Sequence, residues 1–509
     1  MSRVVVIGAG VGGLAAAIRL AAAGHDVEVH ERGPAVGGKL AVHERDGFRF
    51  DTGPSLLTLP QVFEDLGLRL PDPRPLDPVV RHFFADGTVL DSSADHETFL
   101  DRIADALGAG SAADWNRFWH RAERIWRASW RSVLRRPVTP GSLAALSWRV
   151  DDLRAIAPGR TLRDLSLHYL RDPRMRMLLD RYATYTGADP RRAPAALAAI
   201  PYAELHFGGW YLPGGLGTIG TAMADRCAEL GVRIFTGSEV TAVETSAGRA
   251  TGIRVTPGPR VPPGPRVPPG PDPDPGSAPR PGLPFDRINA DIVVSNVDAL
   301  TLYRDLLPTP SRLGRLTDRS LAGFVMLLAV RGETPELAHH NVFFPDYYEA
   351  EFGAIFGSAA KRAALPDDPT VFVTRAEDAT VHPPGTEAWF VLVNAPRHGT
   401  AWSAVDWRRP GLADAYGKHV LEVLARRGVD VRDRVIFAET RTPADLADAA
   451  AAPGGAIYGT AGGLMRPPNR GPVRDLFLVG GSVHPGGGLP MVTLSAKIAA
   501  DQIGRHPRR

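Results

Sequence analysis

Cysteine is nearly absent from this chain. Cys227 is the single one in 509 residues, which excludes an internal disulfide and a cysteine-rich metal site and fits a reducing compartment. Lysine is scarce too. It stands only at positions 39, 361, 418 and 497, and the rest of the 59 basic residues are arginine. Neither sign of charge is in excess. Against 56 acidic residues the formal net charge is +3, so the pI of about 9.1 does not mark a nucleic-acid-binding surface. No apolar run reaches the ~18 residues of a membrane-spanning helix, so any membrane contact is expected to be peripheral. A disordered composition is missing as well: 44% of residues are hydrophobic and 23% charged, a globular balance. The length suffices for one large core or two to three domains.

What is present begins at the N-terminus. Residues 4–7 are an apolar β-branched run, suited to a buried parallel strand. Gly8, Gly10 and Gly13 follow at G-x-G-x-x-G spacing. The first allows a tight turn, the second a close diphosphate, and the third close packing of helix on strand. Residues 12–23 read as a helix closed by Gly24, and residues 27–30 as a second strand ending at Glu31. That carboxylate stands where an acid accepts the ribose hydroxyls of an adenosine. Alone, the glycine triplet also fits an ordinary glycine-rich turn. The strand before it, the helix after it and the acid beyond favour a dinucleotide. A secretory signal fits poorly, because glycines and Arg19 break the apolar stretch. Arg32 would suit an NADP 2′-phosphate, but the following residues point to another dinucleotide.

Gly37-Gly38-Lys39 and then residues 47–55, GFRFDTGPS, resemble the flavoprotein pattern E-x5-GG-[KR] followed by F-D-x-G-P. That pattern belongs to the FAD-dependent amine oxidase and carotenoid desaturase superfamily, and it is far more specific than the glycine triplet. The resemblance implies FAD. It assigns contacts to Gly8, Gly10, Gly13, Glu31, Arg32, Gly38, Lys39, Gly53, Pro54 and Ser55, with Val240 on the adenine side.

Further along, Asp86-Gly87 between apolar pairs signals a hairpin. Residues 97–200 are mostly helical in pattern. Within them Trp115, Trp119, Trp126 and Trp130 form a stripe interleaved with Arg117, Arg121, Arg124, Arg127, Arg131, Arg135 and Arg136. Two readings stand side by side: an interfacial membrane helix, or a core helix with a solvated arginine face. Residues 163–217 resemble the carotenoid desaturase segment that leads through A-P-A to G-x-W-Y-x-x-G-G, with a helix expected at 218–230. Residues 256–284 are a proline-rich insert carrying a tandem PGPRVP. Dense proline disfavours helix and sheet, so this is expected to be an expanded surface loop joining strands 253–255 and 290–294 of one sheet. Strand patterns at 324–330, 371–375 and 389–394 suggest a second, more antiparallel sheet.

Three later motifs narrow the resemblance. Residues 295–298 match the family's S-N-x-D and add Asn296 to the FAD contacts. His339-His340-Asn341 with Phe344 resembles H-H-N-x-x-F; the two histidines face opposite sides of a strand, so no shared metal is expected. Residues 479–490 resemble the carotenoid desaturase signature V-G-x-x-x-H-P-G-x-G-x-P, and assign Gly480, Gly481, Gly488, Pro490 and Met491 to FAD. A helix starting near Pro490 would direct its positive end at the flavin.

The chain thus resembles phytoene-desaturase-type FAD carotenoid oxidoreductases over nearly its whole length. The fold implied is α/β: a Rossmann-like FAD-binding domain (1–72, 206–300 and 455–509) interleaved with a mixed-sheet and helical substrate and membrane-associating domain (73–205 and 301–454). The implied reaction is dehydrogenation of a polyene, with hydride passing from an allylic C–H to flavin N5. Val393-Asn394-Ala395-Pro396, where phytoene desaturases usually carry P-V-P, and Gly480-Gly481-Ser482-Val483-His484-Pro485 resemble the hydroxycarotenoid 3,4-desaturase branch; phytoene is the alternative substrate. His484 is the only catalytic candidate, and holding the glycine loop is its competing role. A cytoplasmic protein at a membrane surface, with a quinone or oxygen as electron acceptor and no nucleic-acid partner, is expected.

Overall fold

The computed structural model describes residues 1–256, 286–461 and 466–505. Strand Arg3–Ile7 lies at the centre of a five-stranded sheet. Ile292–Ser295 and then Leu476–Leu478 flank it on one side, Asp26–His30 and then Arg233–Phe235 on the other. All four pairings are parallel. A parallel sheet needs cover on both faces, and the alternation of the central strand shows what supplies it. Val4 and Val6 pack with helices Val11–Ala22, Gly217–Glu229 and Leu489–Ile503 through Leu14, Ile18, Ile219, Met223 and Ala496. Val5 and Ile7 face a three-stranded antiparallel sheet through Val243 and Ile253.

The second sheet has seven strands, in the order Val435–Arg441, Ala322–Arg331, Thr386–Ala395, Val371–Arg375, His340–Phe343, Arg81–Phe83 and Val89–Asp91. It is antiparallel except where His340–Phe343 runs parallel to Arg81–Phe83. Strand Ala322–Arg331, second in that order, is apolar on both faces. Phe324, Met326, Leu328 and Val330 pack under helix Leu412–Arg426; Val325 and Leu327 face Phe48 and Phe50 with Phe390.

A helical layer covers residues 96–207. Its longest helix, Ala109–Ser129, carries the tryptophan stripe. Trp115, Trp119 and Trp126 are buried with Phe118 and Ile125, and Trp119 stacks on His96 at 4.6 Å. Arg117, Arg124, Arg127 and Arg131 lie on the exposed side. Of the two readings of the stripe, the structure takes the core helix. Trp148, at 87%, is an exposed aromatic, with Val150 beside it at 49%.

The expected flanks of the proline-rich insert also need correction. Arg249–Val255 pairs antiparallel with Asp286–Asn289, with Val255 opposite Asp286. Ile292–Ser295 belongs to the parallel sheet instead. Ala290-Asp291 separates a half-exposed strand from a buried one, and the sequence pattern merged the two. The insert itself, from residue 257, lies outside the described residues. Among the described residues no helix is long and apolar enough to cross a membrane.

Candidate functional site: a dinucleotide cradle opening into an apolar channel

The site starts where the parallel strands end, the usual place for a ligand on such a sheet. The turn after Arg3–Ile7 is drawn tight by the Gly8 amide, which donates to the His30 carbonyl at 2.8 Å. At Gly13 an added Cβ would lie 2.0 Å from the Gly8 carbonyl oxygen, so only glycine lets the helix approach the strand here. Glu31 is held by two main-chain amides: Ala9 donates to Oε2 and Gly33 to Oε1, each at 2.8 Å. Around it stand Arg32, Ser238, Glu239 and Val240. The Arg32 guanidinium donates to the Asp448 carbonyl, bridging to helix Pro443–Ala450.

Asn296 joins the two glycine loops. A Cβ on Gly12 would meet its Oδ1 at 2.5 Å, and one on Gly480 at 2.6 Å. The Lys39 ammonium donates to the carbonyls of Ala456 at 3.2 Å and Ile457 at 2.6 Å. Enclosure, with Arg319 and Arg466 nearby, brings its pKa down to about 8 against the pull of Asp298. Gly53 serves Lys39 directly: a Cβ there would lie 1.9 Å from the Lys39 carbonyl oxygen. Pro54 and Ser55 continue along the cavity wall with Gly38 and Gly10.

At the far end, Gly480, Gly481, Gly488, Pro490 and Met491 line the same cavity at the N-terminus of Leu489–Ile503. Arg466 braces this loop, donating to the carbonyls of Tyr458 at 2.5 Å and Gly481 at 2.9 Å. His484 Nε2 lies 3.1 Å from the Val133 carbonyl and 2.9 Å from that of Arg136. Burial pushes its pKa down. Both partners are main-chain acceptors, so the geometry makes His484 an anchor between the glycine loop and the helical layer.

Several family motifs turn out to hold the walls together. Asp51 accepts from the Leu216 amide at 2.6 Å and the Gly217 amide at 2.9 Å, capping helix Gly217–Glu229. Asp378 accepts from the Tyr211 hydroxyl at 2.8 Å and the Gly214 amide at 2.7 Å. Burial alone would push its carboxyl up, but these bonds and those from Thr380 hold it well below the carboxylate range. His340 Nε2 lies 3.2 Å from the Ser55 carbonyl and its ring stacks on Phe372. Asn341 bonds both the amide and the carbonyl of Ala338. Burial brings His340 down to about 4.

Glu31, the glycine loops and the 480s loop bound one cavity of about 1870 Å³. It continues between the helical layer and the open face of the seven-stranded sheet. Trp126, Leu146, Ile156, Leu197 and Ile200 line it on one side, Phe372, Phe390 and Leu392 on the other. The volume exceeds the roughly 300–1,000 Å³ of an ordinary small-molecule site. The cradle fits FAD. An acid lies at one end, and two helices, Val11–Ala22 and Leu489–Ile503, start at the wall with no side-chain cap. Their free first-turn amides suit a diphosphate and an electron-rich ring. Helices beginning after Asp95, Thr139, Thr161, Asp172 and Thr442 do receive such caps.

Sequence reasoning missed three of the channel's polar residues: Arg181, Tyr185 and Glu204 line it together with Asn394. Asn394 donates to the buried Glu351 at 2.7 Å. Burial pushes Glu204 up, while Arg181 and the tyrosine hydroxyls pull it down. That the last four residues of helix Pro173–Arg181, two of them charged, are all buried is a fact of the fold, with no mark in the sequence.

Residues 11–263 match the family described as flavin containing amine oxidoreductase. The chain is 33% identical over 531 residues to a 4,4′-diapolycopene oxygenase from Methylomonas sp., covering 98% of both chains. It is 32% identical over 535 residues to a hydroxyneurosporene desaturase from Cereibacter sphaeroides, covering 98% of this chain and 97% of that one. With a 1-hydroxycarotenoid 3,4-desaturase from Flavobacterium sp. it shares 29% over 529 residues, covering 99% of each. Among solved structures, an oxidoreductase from Methanosarcina mazei matches with a TM-score of 0.62 at 17% identity, over 98% of this chain and 100% of that one. A putrescine oxidase variant matches at 0.60 and 14%, over 99% and 98%; these two share the fold. The chain belongs to the FAD-dependent carotenoid desaturase and oxygenase family, within the flavin-containing amine oxidoreductases.

Proposed function

We propose that this enzyme inserts a double bond into a long polyene that carries an oxygen function near its end, a hydroxycarotenoid 3,4-desaturation. The observation that carries the reading is the continuity of the cavity from the dinucleotide cradle into an apolar channel. An elongated hydrocarbon can lie there with one end at the flavin position and the rest shielded from water. Asn394, where the phytoene branch carries proline, stands on the channel wall and supports the hydroxycarotenoid branch over plain hydrocarbons such as phytoene.

In this reading Gly8, Gly10, Gly13, Glu31, Arg32, Gly38, Lys39, Gly53, Pro54, Ser55, Val240, Asn296, Gly480, Gly481, Gly488, Pro490 and Met491 hold FAD. Bound FAD supplies the acceptor for a hydride from an allylic C–H. The protein's own residues orient the polyene and exclude water. Lys39, Arg466 and the start of Leu489–Ile503 present positive charge where the reduced cofactor is electron-rich. The reading treats 1–72, 206–300 and 455–509 as the FAD unit and 73–205 and 301–454 as the substrate unit. The strands of the two sheets fall on opposite sides of those boundaries. The protein works at a membrane surface, which supplies its substrate, and passes electrons to a quinone or oxygen.

A second reading, oxygenation of a polyene end, is favoured by the 33% identity to the diapolycopene oxygenase. Product analysis separates the two. Purified protein with FAD, liposomes and a hydroxylated carotenoid should yield a product lacking one pair of hydrogens. Gain of an oxygen atom favours the second reading; turnover of phytoene alone excludes the hydroxycarotenoid branch.

A further inference from the structure

One cluster of charged and polar groups stands in the otherwise largely apolar channel. Arg181, Tyr185 and Glu204 line it together, among Leu197, Ile200 and Phe372. Arg181 is 8% exposed and Glu204 2%. Their charges are not paired with each other. Arg181 Nη1 donates to the Tyr185 hydroxyl at 3.1 Å, and its guanidinium lies over the rings of Tyr185 and Phe372 at 5.2 and 5.6 Å. Glu204 Oε1 accepts from the Tyr182 hydroxyl at 2.8 Å; the Tyr185 hydroxyl also interacts with this carboxylate, and Oε2 is buried with no partner within 3.5 Å.

A channel for a plain hydrocarbon has no use for this arrangement. Burying two charges costs stability that apolar side chains of similar size would not, and a buried acceptor with no donor is rare in folded proteins. A ligand bearing a hydroxyl group resolves both. Its O–H hydrogen satisfies Glu204 Oε2, and its oxygen lone pairs accept from the guanidinium or the Tyr185 hydroxyl. A site built to bond a hydroxyl rejects the analogue lacking it, because its own polar groups are then left unpaired.

We infer that Arg181, Tyr185 and Glu204 form a subsite for a hydroxyl oxygen on the polyene, and that this subsite fixes which carbon–carbon bond lies at the flavin. The inference rests on the polyene-oxidising reading above and adds the residues that set its substrate class. Phe372, under the Arg181 guanidinium, stacks on His340, whose Nε2 lies 3.2 Å from the Ser55 carbonyl of the cradle wall, so the subsite adjoins the cofactor end of the channel. Arg181 and Glu204 act here as positioning residues.

The test compares three polyenes of equal length on the wild-type holoenzyme: an alcohol, its methyl ether and the parent hydrocarbon. The alcohol should have a KM roughly tenfold or more below the other two, equivalent to about 1.4 kcal/mol or more, because the ether cannot donate to Glu204. Glu204→Gln should remove most of that preference and favour the ether, since the side-chain amide can donate to its oxygen; flavin content should stay at the wild-type level. Tyr185→Phe, which deletes a donor without a charge, should weaken the alcohol alone. Equal KM for alcohol and ether on the wild type overturns the subsite, whether or not the variants fold. So does an equal loss on all three substrates in flavin-loaded Glu204→Gln. Turnover of none of the three by flavin-loaded wild type overturns the polyene reading itself, a result distinct from loss of selectivity.

Discussion

In the proposed reading, cofactor affinity turns on Glu31. Its carboxylate follows a strand and is fixed by two main-chain amides, which would hold it for the ribose hydroxyls. A hydrogen bond to a charged group is worth about 1.5–3 kcal/mol. Glu31→Ala should therefore weaken FAD binding roughly tenfold or more, read by quenching of flavin fluorescence; unchanged affinity would put the adenosine elsewhere. Lys39 carries a pH dependence. With its folded pKa near 8, the unfolded chain binds more protons than the folded chain between about 8 and the ordinary lysine value of ~10.4. This residue therefore makes stability rise with pH across that window. Bound FAD, an anion, favours the protonated form, so FAD affinity should fall as pH rises above 8, and Lys39→Met should flatten that slope. A slope unchanged in the variant would assign the proton to another group. Glycine and acid positions were legible in the sequence because spacing alone specifies a turn. Arg181 and Glu204 were not, because Glu204 and its partner Tyr182 stand 22 positions apart and meet only when two helical segments pack.

Among the elements, helix Ala109–Ser129 shows what periodicity can and cannot decide. The spacing of its tryptophans correctly gives one face of a helix. Membrane and protein core both accept an apolar face, and the choice depended on helices 162–207, whose placement is a tertiary fact. Trp115 and Trp126 are now seen inside that layer. Replacing Trp119 and Trp126 with Ser should cost about 3 kcal/mol or more each, by analogy with large-to-small core changes. The double variant should lose soluble, flavin-loaded protein. Trp148→Ser should keep folding and flavin absorbance, because the ring is exposed, and should lower co-sedimentation with liposomes. If Trp148→Ser sediments as before, membrane contact lies on another surface. The seven-stranded sheet was legible as strands at 371–375 and 389–394, since continuous apolar runs of that length suit a sheet buried on both faces. The order of its strands was not, because strands far apart in the chain are neighbours in it, such as Arg81–Phe83 beside His340–Phe343.

At the scale of the whole molecule, the chain leaves and re-enters the parallel sheet twice, and the large cavity is lined by the loops of that sheet, the seven-stranded sheet and the helical layer. The proline-rich insert gives a test at this scale. Val255 and Asp286 are paired neighbours in an antiparallel hairpin, so a short turn suffices between them, and loop-closure entropy changes only slowly with length. Deleting residues 259–282 and closing with a Gly/Ser turn should leave soluble yield and flavin content nearly intact. Loss of folded protein would show that the segment packs on the core. The most direct measurement is anaerobic. FAD-loaded protein is mixed with liposomes carrying a hydroxylated polyene, and the visible absorbance of the oxidised flavin is followed with the polyene spectrum. The account predicts bleaching of the flavin in step with appearance of a polyene absorbing at longer wavelength, one product formed per flavin reduced. A flavin that stays oxidised with the polyene, yet bleaches with a simple amine, would contradict it.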